Sequence, residues 1–516
     1  MTASTDLGLR ESHHGDNWHS LSAIQRNLWF LYRLHPEWQG NFNLLFVARA
    51  RPALDASRLQ EALNRLAARH PMLRARFAER DGQPVQCVLD TVSVPVDVIE
   101  VGELDDEAVA RRVMRDRSRP FDLFAGPAIR ARLYRTPAAG ECVVSLVVDH
   151  LVFDGWSLWQ LTRELGEELE RPASSTASDG ARAASGPTFL EHVAQQREWL
   201  ASPRAQRQLA YWRAALADDY PPLELRPDLR GEDRAGGDPR EAITTVLPAD
   251  LAHGLRELAT RNGATLSDAL LAGYFLLLHR VTGQDRVAVG SPMPGRGRAW
   301  KRTIGNFINP VVLRSMVKPG LTVAELVKVT HSTATKGLRN QDYPLTELVE
   351  RLNPRRSADQ QPYYQALYVF QKAREAAEMT AVLTSSTGFG PVGWGGVQLE
   401  PFGRFESFGA AGLDLVMEAL ELEDRIWTCW DFDATKFRRS TIQRFVDCWI
   451  TLLRGMVAAD GREVMKLPLL GEAERWQVVE GWSGKREGLG SGRCVHELIE
   501  EVARREPEKV AVWAAG

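Results

Sequence analysis

One stretch of the chain concentrates the residues that could do chemistry: "CVVSLVVDHLVFDGWSLWQL" (Cys142–Leu161). Val143 to Val148, with Ser145 the one polar member, form an apolar run that reads as a buried strand. The run ends at Asp149-His150, and after three apolar residues comes Asp154-Gly155. A histidine at the point where a strand leaves the core shows its imidazole to a cleft while the strand fixes its backbone. Imidazole titrates near neutral pH, so His150 can accept a proton from an attacking amine or orient it. Asp154 is too close in sequence to be an independent second base. It reads as a structural anion that pairs with an arginine and shapes the loop, while Gly155 lets backbone approach a substrate closely. Taken alone, HxxxDG fits a core histidine with a turn aspartate equally well.

Other residues carry their own expectations. Arg280, in "LLLHRVTGQDRV", is the expected partner of Asp154, with Arg286 the next choice; both also read as solvated surface arginines. Ser157 either hydrogen-bonds near an acceptor substrate or caps the helix after the strand. Asn309 either lines a substrate path or serves as a buried structural amide. Trp156 and Trp159 have a spacing that suits helix packing and so a place in the core, and His70 reads as a helix-end residue.

The elements that must position this stretch are legible around it. "SRLQEALNRLAARH" (Ser57–His70) predicts a helix with Leu59, Ala62, Leu63, Leu66 and Ala67 on one stripe, capped by Asp55 or Ser57. "LRARFAERDGQPVQCVL" predicts two strands turned at Asp81-Gly82. Arg171 to Thr188 is rich in Ser, Ala, Gly and Pro and predicts an interlobe linker. Beyond it, two helices meet at Asn262-Gly263, "RVAVGSPMPGR" (Arg286–Arg296) is a strand entering a loop, and Ser386 to Gly396 reads as a glycine-rich loop. "STIQRFVDCWITLLRGMVA" closes the lobe as an amphipathic helix.

A chain of 516 residues is too long for one ordinary core and predicts two substantial lobes. With 64 basic against 67 acidic residues there is no electrostatic footprint for nucleic acid. No apolar run reaches membrane-spanning length, and the polar start is no signal peptide. The five cysteines are odd in number, dispersed and without a CxxC pair, which suggests neither a disulfide framework nor a zinc site. The expected compartment is cytoplasmic. No P-loop, HExxH or GxGxxG context calls for a metal or nucleotide.

The segment "DHLVFDGWS" resembles HHxxxDGxS, the core motif of nonribosomal peptide synthetase condensation domains. Further stretches resemble that family's motifs in order: "LSAIQRNLWFL", "RHPMLRARF", "FLEHVAQQREWL", "IGNFINPVVLR", "NQDYPLTELVERL" and "QQPYYQALYVFQ". The tail "CVHELIEEVARREPEKVAV" resembles the opening of an adenylation domain. The resemblance implies an α+β fold, a pseudodimer of two chloramphenicol-acetyltransferase-like α/β sandwich lobes set as a V around a central tunnel. It divides the chain into a preamble (1–20), an N-lobe (21–185), a C-lobe (186–465) and a linker with the start of an adenylation domain (466–516).

The same resemblance implies the chemistry. An acceptor amine attacks a donor acyl thioester beside His150, the motif's second histidine, with Asp154 and Gly155 completing the catalytic group. Ser157 and Asn309 are the expected substrate-side residues, and Asp149 and Arg280 the structural ones. No cofactor is bound directly; substrates arrive on the phosphopantetheine arms of carrier proteins, one at each tunnel mouth. The expected partners are a donor acyl- or peptidyl-carrier protein on a separate polypeptide, a downstream acceptor peptidyl-carrier protein and the adjacent adenylation domain. Polyketide or fatty acyl donors are among those the resemblance allows. One departure stands out: the motif's first histidine is Asp149 here. Asp149, Asp154 and Ser157 satisfy DxxxxDxxS, the signature of heterocyclization domains, although those domains usually lose the histidine kept here. Epimerization domains share the fold, and a catalytically silent recruitment domain is the alternative outside catalysis.

Overall fold

The computed structural model describes residues 17–102, 105–135, 140–171, 186–217, 220–229, 240–354, 361–372, 390–403, 412–423, 425–483 and 494–510. The chain divides into a compact unit, Met1–Leu469, and a second unit, Leu470–Gly516.

Two six-stranded sheets organise the first unit. In the first, the order is Val392–Trp394, Val397–Pro401, Leu44–Arg51, Cys142–Val148, Ile129–Arg135 and Val96–Glu100. All neighbours are antiparallel except the last pair. Cys142–Val148 has a partner strand on each edge and is buried on both faces, which is why it reads as a continuous apolar run rather than an alternation. The second sheet runs Asn309–Met316, Arg286–Met293, Ala366–Lys372, Leu415–Glu421, Ile426–Asp433 and Arg240–Leu247. Helices Ala249–Arg261, Leu266–Thr282, Val323–Arg339 and Arg439–Ala458 accompany it in sequence, and Leu266–Thr282 is buried almost all round.

Several local expectations hold. Helix Ala56–Arg69 is capped by Asp55, whose carboxylate accepts the Arg58 N–H at 2.8 Å, and it buries the five residues of the predicted stripe. Strands Ala75–Arg80 and Gln83–Val88 turn at Asp81 and Gly82, both with positive φ. Asn262 ends its helix and Gly263 follows at φ 65°. Of the predicted linker, Arg171 to Thr188, residues 172–185 lie outside the described residues, and Thr188 at its end caps helix Phe189–Leu200.

The glycine-rich segment is a correction. Residues 386–389 lie outside the described residues, but Val392–Trp394 and Val397–Pro401 form a hairpin that joins the first sheet along Leu44–Arg51. Gly395 and Gly396, with φ of 60° and 82°, make its tight turn, the form such residues take between paired strands. The hairpin is seated by Trp394, whose indole donates to the Thr162 carbonyl at 2.7 Å. A Cβ at Gly166 would lie 2.6 Å from the Trp394 ring, so only glycine admits it. Thr162 and Gly166 belong to helix Gly155–Glu170, which starts directly after the HxxxDG stretch. A late segment of the chain thus braces the helix that follows the candidate site. Phe189, Trp300, Ile304 and Phe307, also from beyond the linker, pack into the same core.

In the second unit, Glu472–Trp476 and Val495–Arg505 are helical, with Val495, Ile499 and Val502 exposed on one stripe. Among the described residues no helix is long and apolar enough to cross a membrane.

Candidate active site

The site is built where strand Cys142–Val148 stops. Asp149 makes the stop. Its Oδ1 accepts the Leu151 N–H at 2.8 Å, an Asx turn that bends the backbone, and also the Tyr32 hydroxyl at 3.0 Å. Its side chain is fully buried and Oδ2 has no hydrogen-bond partner among the described residues. That burial pushes its carboxyl up to about 6. Asp149 is not among the residues that line the cavity described below, which fits the structural role expected of it.

His150 emerges from this turn into a cavity of about 1770 Å³, bounded by residues of both sheets, among them Leu44 and Leu45 of the first and Leu367 and Val416 of the second. Its Nδ1 lies 2.6 Å from the Phe153 carbonyl oxygen. Asn306 Nδ2 also lies 3.2 Å from this nitrogen, but the shorter contact is to a carbonyl, which only accepts, so Nδ1 carries the hydrogen and Nε2 keeps its lone pair. No described residue engages Nε2. Burial holds the imidazole below its ordinary pKa, so the base form prevails at neutral pH. The backbone of His150 is held by a residue from beyond the linker: Asn306 Nδ2 donates to its carbonyl at 2.7 Å.

Asp154 is the N-cap of helix Gly155–Glu170, and Oδ1 accepts the Ser157 N–H at 2.7 Å. The same oxygen accepts Arg296 Nη2 at 2.8 Å, and Oδ2 accepts the Phe307 N–H at 3.1 Å. Arg296 is therefore the partner, and the expected pairing with Arg280 or Arg286 is corrected. Arg280 ends helix Leu266–Thr282 and donates to the Leu467 carbonyl at 3.2 Å, while Arg286 lies over the Tyr220 ring. Arg296 also donates to the Trp300 and Thr303 carbonyls and covers the Phe307 ring at 4.1 Å. It is the last residue of the "RVAVGSPMPGR" stretch, and an arginine leaving a buried strand is the signal that could have pointed to it.

Ser157 is corrected as well. It is fully buried, its hydroxyl donates to the Gly305 carbonyl at 2.7 Å and accepts the Gly305 N–H at 3.0 Å, and the cap is Asp154. It faces the opposing loop rather than a substrate. Asn309 lines the cavity, but its amide donates to the Gln341 and Tyr343 carbonyls and accepts the Leu345 N–H. Those bonds make it an organiser of the Gln341–Leu345 turn. Gly155 lines the cavity with open space where a Cβ would stand. Trp156, expected in the core, is 43% exposed at the cavity, and its indole donates to the Lys301 carbonyl. His70 is a helix-end residue as expected, bonded to Glu164 at 2.7 Å.

Besides Arg296, two residues that border the cavity escape the sequence reading. Asn306 sits three places before Asn309 in "IGNFIN", and the sequence alone gives no reason to prefer it. His192, in "FLEHVAQQREWL", lines the cavity among Phe189, Trp300 and Phe307; burial and the charge of Arg296 lower its pKa to about 4.

The chain resembles known proteins in sequence and fold. The family model "Condensation domain" matches residues 17–479. A linear gramicidin synthase protein of Brevibacillus parabrevis is 30% identical over 95% of this chain and 9% of its own length. Phosphinothricin tripeptide synthetase PhsC of Streptomyces viridochromogenes is 28% identical over 96% of this chain and 44% of its own. The chain thus spans less than half the length of either relative. Among solved structures, holo-AB3403, a four-domain nonribosomal peptide synthetase bound to AMP and glycine, shares the fold with a TM-score of 0.77 and 20% identity, over 91% of this chain and 35% of that one. With most of its length matched and its HxxxDG histidine set on a large cavity, this chain belongs to the condensation-domain family.

Proposed function

We propose that this domain joins two carrier-bound substrates of a nonribosomal peptide synthetase by acyl transfer. The observation that carries the reading is His150: an imidazole with one nitrogen tied to the Phe153 carbonyl and the other left free, bordering the cavity. In the reaction, the acceptor amine attacks the donor thioester carbonyl. A C–N bond forms, the C–S bond breaks, and the amine proton passes through Nε2 of His150 to the departing thiolate. Thioester aminolysis is already downhill, so positioning does most of the work. Holding two tethered reactants together supplies roughly 7–11 kcal/mol of the barrier, and general base help adds about 10²–10⁴-fold.

Asp154 and Arg296 act on this chemistry by holding the loop and helix start rather than by touching substrate. Gly155 keeps the space beside His150 open. The substrates enter on phosphopantetheine arms, from carrier proteins at two mouths of the cavity. The tail from residue 466 is read as a linker and the opening of an adenylation domain. Amide formation is favoured over cyclization because Asp149 is spent on an Asx turn and on Tyr32, out of the cavity.

The test uses an acceptor carrier and a donor carrier loaded with candidate substrates, read by intact-mass spectrometry. Gly155→Trp, whose Cβ would stand in open space, is expected, once its fold is confirmed, to leave carrier binding unchanged and to abolish transfer of the donor mass. Full transfer in that variant would mean that the substrates meet elsewhere.

A further inference from the structure

The cavity has a second wall whose chemistry the reaction at His150 does not use. On the second sheet, Leu367 lies opposite Val416 and Val369 opposite Glu418 in parallel register, so these four side chains share a face. All four line the cavity, as do Tyr364 and Leu413. Apolar groups thus surround a single carboxyl. Glu418 is 1% exposed; Gln371 donates to its Oε1, and its Oε2 has no partner among the described residues. No described cation pairs with it. On the next strand Asp431 stands opposite Val416, and there the carboxylate has Arg240 at 2.5 Å. Burial, together with the charge of Asp431, pushes the Glu418 carboxyl up to about 8.

Buried polar atoms are almost always hydrogen-bonded, and a buried acid without a counter-charge is costly to keep. A carboxyl kept in that state at the side of a substrate cavity is completed by what enters. With its carboxyl pushed up to about 8, Glu418 is neutral at pH 7 when alone; a hydroxyl would leave it so, whereas an ammonium brings three donors and the charge that lets it ionise. The apolar residues around it suit a methylene stem. We propose that this wall is a recognition site for a substrate whose aliphatic chain ends in a primary amine, with Glu418 reading the amine. The assignment rests on the condensation reading only in taking a thioester substrate as what occupies the cavity.

The test compares matched thioesters of N-acetylcysteamine by titration calorimetry: ornithinyl against norleucinyl, and 5-aminopentanoyl against hexanoyl. The amine-ended member of at least one pair is expected to bind about tenfold tighter or more, as a charged hydrogen bond allows. Glu418→Gln, which keeps the side chain's size, is expected to level that pair, with its fold checked by melting. Equal affinities within both pairs, or a preference that survives Glu418→Gln, would overturn the site. Amide formation by carrier-loaded substrates is scored separately. Turnover without an amine preference would sink this inference and leave the reaction standing; a preference without turnover would do the reverse.

Discussion

In the first half of the chain a buried carboxyl, Asp154, meets a buried guanidinium, the N–H of Ser157 and the N–H of Phe307, so both oxygens are satisfied. In the second half an equally buried carboxyl, Glu418, has one amide on one oxygen and nothing described on the other. The first arrangement has no capacity left for a ligand and can only hold geometry. The second is incomplete by itself. Burial of a carboxyl by this one chain therefore takes two forms, a brace beside the imidazole and an unmet demand for a partner on the opposite sheet. Asp149 is a third case: an aspartate with one oxygen bonded twice and no hydrogen-bond partner among the described residues for the other, buried and not among the cavity's lining residues.

The comparison is broken most severely by removing the brace. Asp154→Ala leaves Arg296 buried and unpaired, at a cost of about 3–5 kcal/mol. Urea unfolding is expected to show that loss, and Arg296→Ala a similar one, with the double variant far from additive. Wild-type stability in Asp154→Ala would show that the pair braces nothing.

Asp149→Asn is the next largest change and has the opposite sign. Burial raises the folded carboxyl from its ordinary 3.8 to about 6. Between those values the folded protein holds a proton that the unfolded chain releases, so its contribution to stability falls as pH rises from about 4 to 6 and stays low above. Asparagine keeps an oxygen for Tyr32 and Leu151 and removes the dependence, for a gain of up to about 3 kcal/mol at pH 7. The readout is the difference between variant and wild type across that range, because His150, lowered by burial, contributes a slope of the other sign. A difference that does not grow from pH 4 to 6 would contradict the assignment.

Ser157→Ala is the smallest. It strips the Gly305 N–H and carbonyl of their shared hydroxyl and is expected to cost about 1–3 kcal/mol in urea unfolding, with transfer retained once folded. Lost transfer at full stability would return Ser157 to the substrate side.

Much of the site is legible in the sequence, and the limits have a physical form. The buried strand, its histidine and the aspartate five residues after Asp149 are local, and spacing reveals them. So are the caps at Asp55 and Gly263, because turn chemistry is written in neighbouring residues. The partner of Asp154 is not, since Arg296 lies 142 residues away and only the folded loop brings it in. Arg280 attracts notice by its place at the end of an apolar helix, where it serves the Leu467 carbonyl instead. The Val392–Pro401 hairpin is hidden for a related reason: its glycines do signal a turn, but its pairing partner is Leu44–Arg51, more than 300 residues earlier. Glu418 gives no local sign at all, because a lone acid in a strand acquires meaning only from the cavity it borders.

In the proposed reaction transfer turns on His150, and one experiment addresses it directly. His150→Ala is compared with wild type by intact-mass spectrometry of the acceptor carrier after incubation with a loaded donor carrier, with melting temperature followed in parallel. The donor mass is expected to appear on the acceptor at least about 10²-fold more slowly in the variant, with melting unchanged. Transfer at the wild-type rate would show that the reaction does not depend on this imidazole.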